Sequence, residues 1–230
     1  MFYGHSQELI YKNLKISKMV GFKLKKLLLS MLLALSFNLF AVEFDTVEDA
    51  VYYEFLCEKI PQRLVEPFYE NTKYNKTIGC ELLAIGQKES DWCVFVVLKT
   101  NENGTVDMGP LGLNSSHLGE YWYQNVITKK ASKYRYDSDI CYMIASIYYY
   151  RDLRNSMGTY TAYRQYNGGP TAERKVVTKS YADDVSKFES KIVKDYENFK
   201  KENIERITSL FKERNTYISK KSEQKSPDLM

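Results

Sequence analysis

Between residues 78 and 108 the apolar pattern of the chain changes period, and that switch limits the folds open to it. Ile78, Leu82 and Ile85 fall at i, i+4 and i+7, the spacing of one face of an amphipathic helix. The next position on the stripe, i+11, is Glu89, so a carboxylate stands in line with the inward-facing residues near the helix end. Taking an ionised carboxylate out of water is costly, so the placement asks for a reason. Val94 to Leu98 is instead β-prone, Asn101–Gly104 contains an Asn-Gly turn, and Thr105–Met108 resumes an extended pattern. Together these predict a β-hairpin.

Helical patterns flank the switch on both sides. Residues 44–70 read as mostly helix, with Thr46 as N-cap, Glu48 and Asp49 in the first turn and a break at Pro61. Further helices are predicted over 117–127, over 137–154 with Asp137 or Ser138 as cap, and over 159–166 before Gly168-Gly169-Pro170. A long amphipathic helix covers 179–217, where the spacing of Val185, Phe188, Ile192, Tyr196 and Phe199 predicts that its first half packs on the domain. From Lys220 the Ser- and Lys-rich chain is expected to be a flexible tail, 220–230. The fold class is therefore mainly α with a small β-hairpin (α+β). With 230 residues, 44% of them hydrophobic, one core is expected. A helix ending in an inward-leaning Glu and followed directly by a hairpin suggests a lysozyme-like cleft, by fold analogy alone.

Charge distribution removes one class of function. The chain has 33 Lys and Arg against 29 Asp and Glu, but six Lys and a single Glu fall within residues 1–41. The rest is close to neutral, so no nucleic-acid partner is expected. The leader itself has Lys23, Lys25 and Lys26 before an apolar run from Leu27 to Leu35, with Ala41 ahead of an acidic segment. That is the layout of a secretory signal peptide, with Met19 as a plausible start and cleavage after Ala41. An uncleaved N-terminal anchor is the alternative.

Cys57, Cys80, Cys93 and Cys141 all follow the leader. An even count in an exported chain points to disulfides, with three connectivities if all four pair, against the alternative of buried free thiols. No CxxC is present and His117 is the one histidine after the leader, so neither a metal nor a cofactor is expected.

Four stretches in order carry a resemblance. They are Leu82–Ser90, ending in Glu89-Ser90; Asn103–Ser115, containing Asp107, Gly109, Leu111, Leu113 and Asn114; Asp139–Ala145; and Ala162–Gly169, containing Tyr166-Asn167-Gly168-Gly169. Tyr181-Ala-Asp-Asp-Val185 adds a fifth. Over residues 75–190 they resemble the transglycosylase SLT domain family of lytic transglycosylases, in the lysozyme-like superfamily, and look closest to the small secreted members that accompany secretion machines. One departure stands out: where the family usually has a cleft-lining Gln, this chain has Gly112. Pro110 is a milder change.

The resemblance implies a transglycosylase domain over 42–219 that cleaves the MurNAc-GlcNAc bond of peptidoglycan in the periplasm or cell envelope. Glu89 would be the general acid and base, its pKa raised by desolvation, and the muramic C6 hydroxyl would be the nucleophile. Ser90 would position substrate or Glu89, or cap the helix. Tyr166 and Asn167 would line the cleft, and backbone around Gly109–Leu113, with Asn114, would form a wall. Asp91 and Asp107 are the other carboxylates near the motifs, and a structural role is favoured for Asp107. Trp92, Trp122 and Tyr163 are candidate sugar platforms, while His117 reads as structural. Small secreted relatives often carry a Cys at the start of the helix that begins near 137, which makes Cys141 the preferred disulfide partner. The implied partners are peptidoglycan glycan strands and an envelope-spanning secretion or motility apparatus, with the chain acting as a monomer. A lysozyme-type hydrolase and a non-catalytic peptidoglycan-binding scaffold remain the alternatives.

Overall fold

The helix that ends in Glu89 occupies the middle of the architecture. The computed structural model describes Val42, residues 44–92 and residues 99–224. The leader, the first predicted strand with Cys93, and the last six residues lie outside them.

Helix α1 (Val47–Lys59) begins at Thr46, whose hydroxyl oxygen accepts from the Asp49 backbone N–H at 3.1 Å. Pro61 separates it from α2 (Gln62–Thr72). Helix α3 (Lys76–Glu89) is capped by Asn75, which accepts from Ile78 N. Each cap satisfies one of the backbone donors that a helix start leaves unpaired. Ile78, Leu82 and Ile85 are buried as the spacing requires.

A three-stranded antiparallel sheet follows, in the order β1 (Lys99–Thr100), β2 (Val106–Met108), β3 (Leu113–Asn114). A hairpin about the Asn101–Gly104 turn is present, its described first strand being Lys99–Thr100, while the predicted 94–98 lies outside the described residues. A third strand is added, paired Asp107 to Asn114 and Met108 to Leu113. Helix α4 (Tyr121–Lys129) comes after a short 3-10 turn, Ser115–Gly119. Helix α5 (Ser138–Met157) starts at Asp137, which accepts from Ile140 N. Helix α6 (Thr159–Gly168) leads through a second 3-10 turn to α7 (Val176–Gln224).

Helix α7 has 49 residues and is about 73 Å long at 1.5 Å per residue. It packs chiefly along α3, α6 and α1. Val185, Ile192, Tyr196 and Phe199 are buried, and the contact continues beyond the expected first half. Ile207 is buried, Arg206 pairs with buried Glu54, and the Arg214 guanidinium lies over the Phe44 ring. The helix also runs to Gln224, so helical backbone extends past the expected boundary at 219. No helix among the described residues is long and apolar enough to cross a membrane.

The disulfide expectation is corrected. Cys57, Cys80 and Cys141 are free thiols. They occupy three separate settings, and Cys141 donates its S–H to the Tyr134 carbonyl instead. Burial pushes the Cys57 and Cys80 thiols up to about 12, which leaves them protonated and unreactive.

Candidate active site

Glu89 is the last residue of α3 and is only partly buried, whereas Leu82 and Ile85 on the same stripe are sealed. Its Oε1 accepts a 2.6 Å hydrogen bond from the hydroxyl of Tyr181, in the second turn of α7. Burial, and then the Glu89 charge beside it, push that hydroxyl far up, so Tyr181 stays a donor at any physiological pH.

Across from the carboxylate lies the tight turn Gly109-Pro110-Leu111-Gly112 between β2 and β3. The turn is closed by Gly112 N donating to Gly109 O at 3.0 Å. Proline fits the second position of such a turn because its ring presets φ. Each residue of the turn is held from a different side. A Cβ on Gly109 would meet the Tyr142 side chain at 2.6 Å, so α5 approaches the backbone directly. Pro110 O accepts from Ser90 Oγ at 2.8 Å. Leu111 O accepts from Tyr166 OH at 2.7 Å. Gly112 faces Glu89, at φ +66°. The Gly109–Gly112 backbone, where a cleft wall was expected, thus borders the Glu89 carboxylate.

Several side chains are used differently from expectation. Leu111 and Leu113 are buried in the core, so only their backbone borders the wall. Ser90 is the C-cap of α3, and its hydroxyl bonds the turn, fixing the distance between helix end and sheet. Asn114 caps the following 3-10 turn and donates to Thr105 Oγ1 and Asp107 Oδ1. Asp107 also accepts from Asn101 Nδ2 at 3.0 Å. Side-chain amides from two neighbouring segments thus hold Asp107 in the sheet. Asp91 is exposed, in a left-handed turn at φ 51° that continues through Trp92 at φ 56°.

That turn folds Trp92 back onto α3, where its indole N–H donates to Leu83 O and its ring packs on Phe68. Trp92 is core, not a sugar platform. Tyr163 is fully buried as well, stacked on Tyr150 and bonded to Glu189. Trp122 differs: it is partly exposed, stacks on Tyr149 at 5.5 Å and 15°, and meets His117 edge-on. Glu120 holds both, lying 2.7 Å from His117 Nδ1 and accepting from the Trp122 indole. Tyr149 in turn packs on Tyr166, so an aromatic row runs from Trp122 to the turn beside Glu89. Asn167 is exposed, and its side chain makes no hydrogen bond among the described residues.

Sequence reasoning missed Tyr149 and the role of Tyr181. Twenty tyrosines hide one Tyr among many, and only the fifth motif marked Tyr181. It also missed Glu81, which is buried on α3 and bonded by Tyr150 and Arg154. A separate pocket of about 160 Å³ on a different face of α3, lined by Glu58, Lys59, Gln87 and Trp92 among others, includes neither Glu89 nor Tyr166, Tyr181 or the Gly109–Gly112 turn. Among the described residues no three His, Cys, Asp or Glu side chains are grouped to hold a metal ion. Comparison of the chain with family models, curated proteins and solved structures gives no match.

Proposed function

We propose that the chain is an exported peptidoglycan lytic transglycosylase of lysozyme-like fold, with Glu89 as its acid and base. One observation carries the reading: the partly buried Glu89 carboxylate stands at the seam between helices and sheet, bonded by Tyr181 and bordered by the Gly109–Gly112 turn. An acid in that position can reach a polymer lying across the seam, and a fixed orientation is what proton transfer needs. Glu89 donates its proton to the oxygen of the leaving sugar as the glycosidic bond breaks. The resulting carboxylate takes the proton of the muramic C6 hydroxyl, whose oxygen bonds to C1 and closes the 1,6-anhydro ring. Proton and electron pairs balance, and Glu89 ends as it began.

The neighbouring carboxylates favour the intramolecular nucleophile. Asp107 is tied to Asn101 and Asn114, and Asp91 faces solvent in its own turn. A retaining glycosidase would need a second carboxyl group close to the acid. The aromatic row from Trp122 to Tyr166 supplies flat apolar faces suited to sugar rings. Residues 1–41 carry the export of the chain to the cell envelope.

A gel containing purified peptidoglycan tests the reading. Wild-type protein is expected to clear it, and Glu89→Gln to leave it opaque while still binding. Binding without clearing by wild type would replace the enzyme by a scaffold that holds the wall.

A further inference from the structure

We propose that Gly112 is a positioning residue: its missing side chain is the space in which the Glu89 carboxylate sits. A Cβ built there would stand 2.7 Å from Glu89 Oε2, 3.0 Å from Cδ and 3.2 Å from Cγ. All three contacts fall on one side chain, and the first is closer than real Cβ atoms approach anything. Tyr181 bonds the other carboxylate oxygen at 2.6 Å, so moving the carboxylate away from position 112 acts on that bond. Nor can the turn retreat, because Ser90 holds Pro110 O, Tyr166 holds Leu111 O, and Tyr142 backs Gly109. The carboxylate is thus held between a hydroxyl and a bare backbone.

The idea builds on the proposed function and gives the departure at 112 a physical meaning. A cleft-lining Gln at this position would have to displace Glu89. Glycine turns the position from a place for a substrate contact into the seat of the acid. Its φ of +66° independently favours glycine, so an ordinary substitution combines backbone strain with the collision. Gly104 separates the two effects. It has φ +78° with nothing within 4 Å of a built Cβ, so Gly104→Ala carries strain alone.

The test uses full-length protein in four variants: Gly112→Ala, Gly104→Ala, Glu89→Ala and Gly112→Ala/Glu89→Ala. Melting temperatures form a double-mutant cycle that does not depend on activity. The expected result is a Tm loss for Gly112→Ala that is clearly smaller once Glu89 is truncated. For release of soluble glycan fragments, Gly112→Ala should lower kcat by roughly 100-fold with KM within about threefold, as a displaced acid would. Gly104→Ala should keep kcat within about twofold of wild type, since strain at the hairpin tip does not touch the acid. If Gly112→Ala does not fold while the double variant does, the collision is demonstrated directly. Equal Tm losses in both backgrounds, kcat as in Gly104→Ala, or a double variant that also fails to fold would each overturn the proposal. A wild type that releases no product while the Tm coupling is present would remove the transglycosylase reading and leave the seat of the carboxylate standing.

Discussion

Helix α3 carries two inward-facing glutamates two turns apart, and they sit in opposite settings. Glu81 is 1% exposed and satisfied on every side: Tyr150 OH at 2.9 Å, Arg154 Nε at 3.2 Å, and Thr159 Oγ1. It joins α3 to α5 and α6 as a cross-brace. Glu89 lies at the helix end, partly open, fixed by Tyr181 and by the absence of a side chain at 112. A carboxylate enclosed by a cation and hydroxyls has its oxygens taken up by those partners. One at a seam, oriented but accessible, has the means to exchange a proton. Burial of a carboxylate alone therefore does not mark chemistry; its access matters more.

The comparison breaks if the two residues respond alike. Glu89→Gln is expected to lower activity by about 10³-fold, in the range of general acid–base catalysis, with a melting temperature close to wild type. Glu81→Ala should do the reverse. It strands the Tyr150 hydroxyl and the partly exposed Arg154, costing about 2–3 kcal/mol and roughly 5–10 °C in Tm. Activity per folded molecule should change little. Equal loss of activity in both, with folding preserved, would mean the brace and the acid are one unit.

Asp107 sharpens the contrast on the sheet side. Asp107→Asn weakens charge-assisted bonds to Asn101 and Asn114 and should cost about 1 kcal/mol with partial loss of activity. Complete loss at full stability would place two carboxylates in the chemistry. The smallest effect is expected at the far end of α7. Truncation after Ser219 should leave Tm within about 1 °C, because the packing partners Arg206, Ile207 and Arg214 all remain. A larger drop would show that the last turns are docked.

Much of the fold was legible because it rests on local chemistry. Thr46 and Asp137 cap their helices as their side-chain oxygens predict, Pro61 separates α1 from α2, and the Asn-Gly segment turns a hairpin. The place of Glu89 at the helix end could be read because it continues the spacing of Ile78, Leu82 and Ile85. The rest depended on tertiary placement. The Trp92 ring returns to the core only because Asp91 and Trp92 adopt left-handed backbone, which no periodicity announces. Cys57, Cys80 and Cys141 are free because their helices carry them to separate neighbourhoods, which a count of cysteines cannot show. Tyr149 joins Trp122 through packing of α5 beside α4, and Gly112 gained meaning only once the turn was seen against Glu89.

The most direct test of the central claim is mass analysis of the fragments that wild-type protein releases from purified peptidoglycan, before and after reduction with borohydride. If Glu89 alone serves the C6 hydroxyl as nucleophile, every new end is 1,6-anhydro-muramic acid, and reduction leaves the masses unchanged. The intramolecular hydroxyl outcompetes water through its high effective concentration. New ends that gain two hydrogens on reduction are hemiacetals made by water, and they would contradict the account in favour of a lysozyme-type hydrolase.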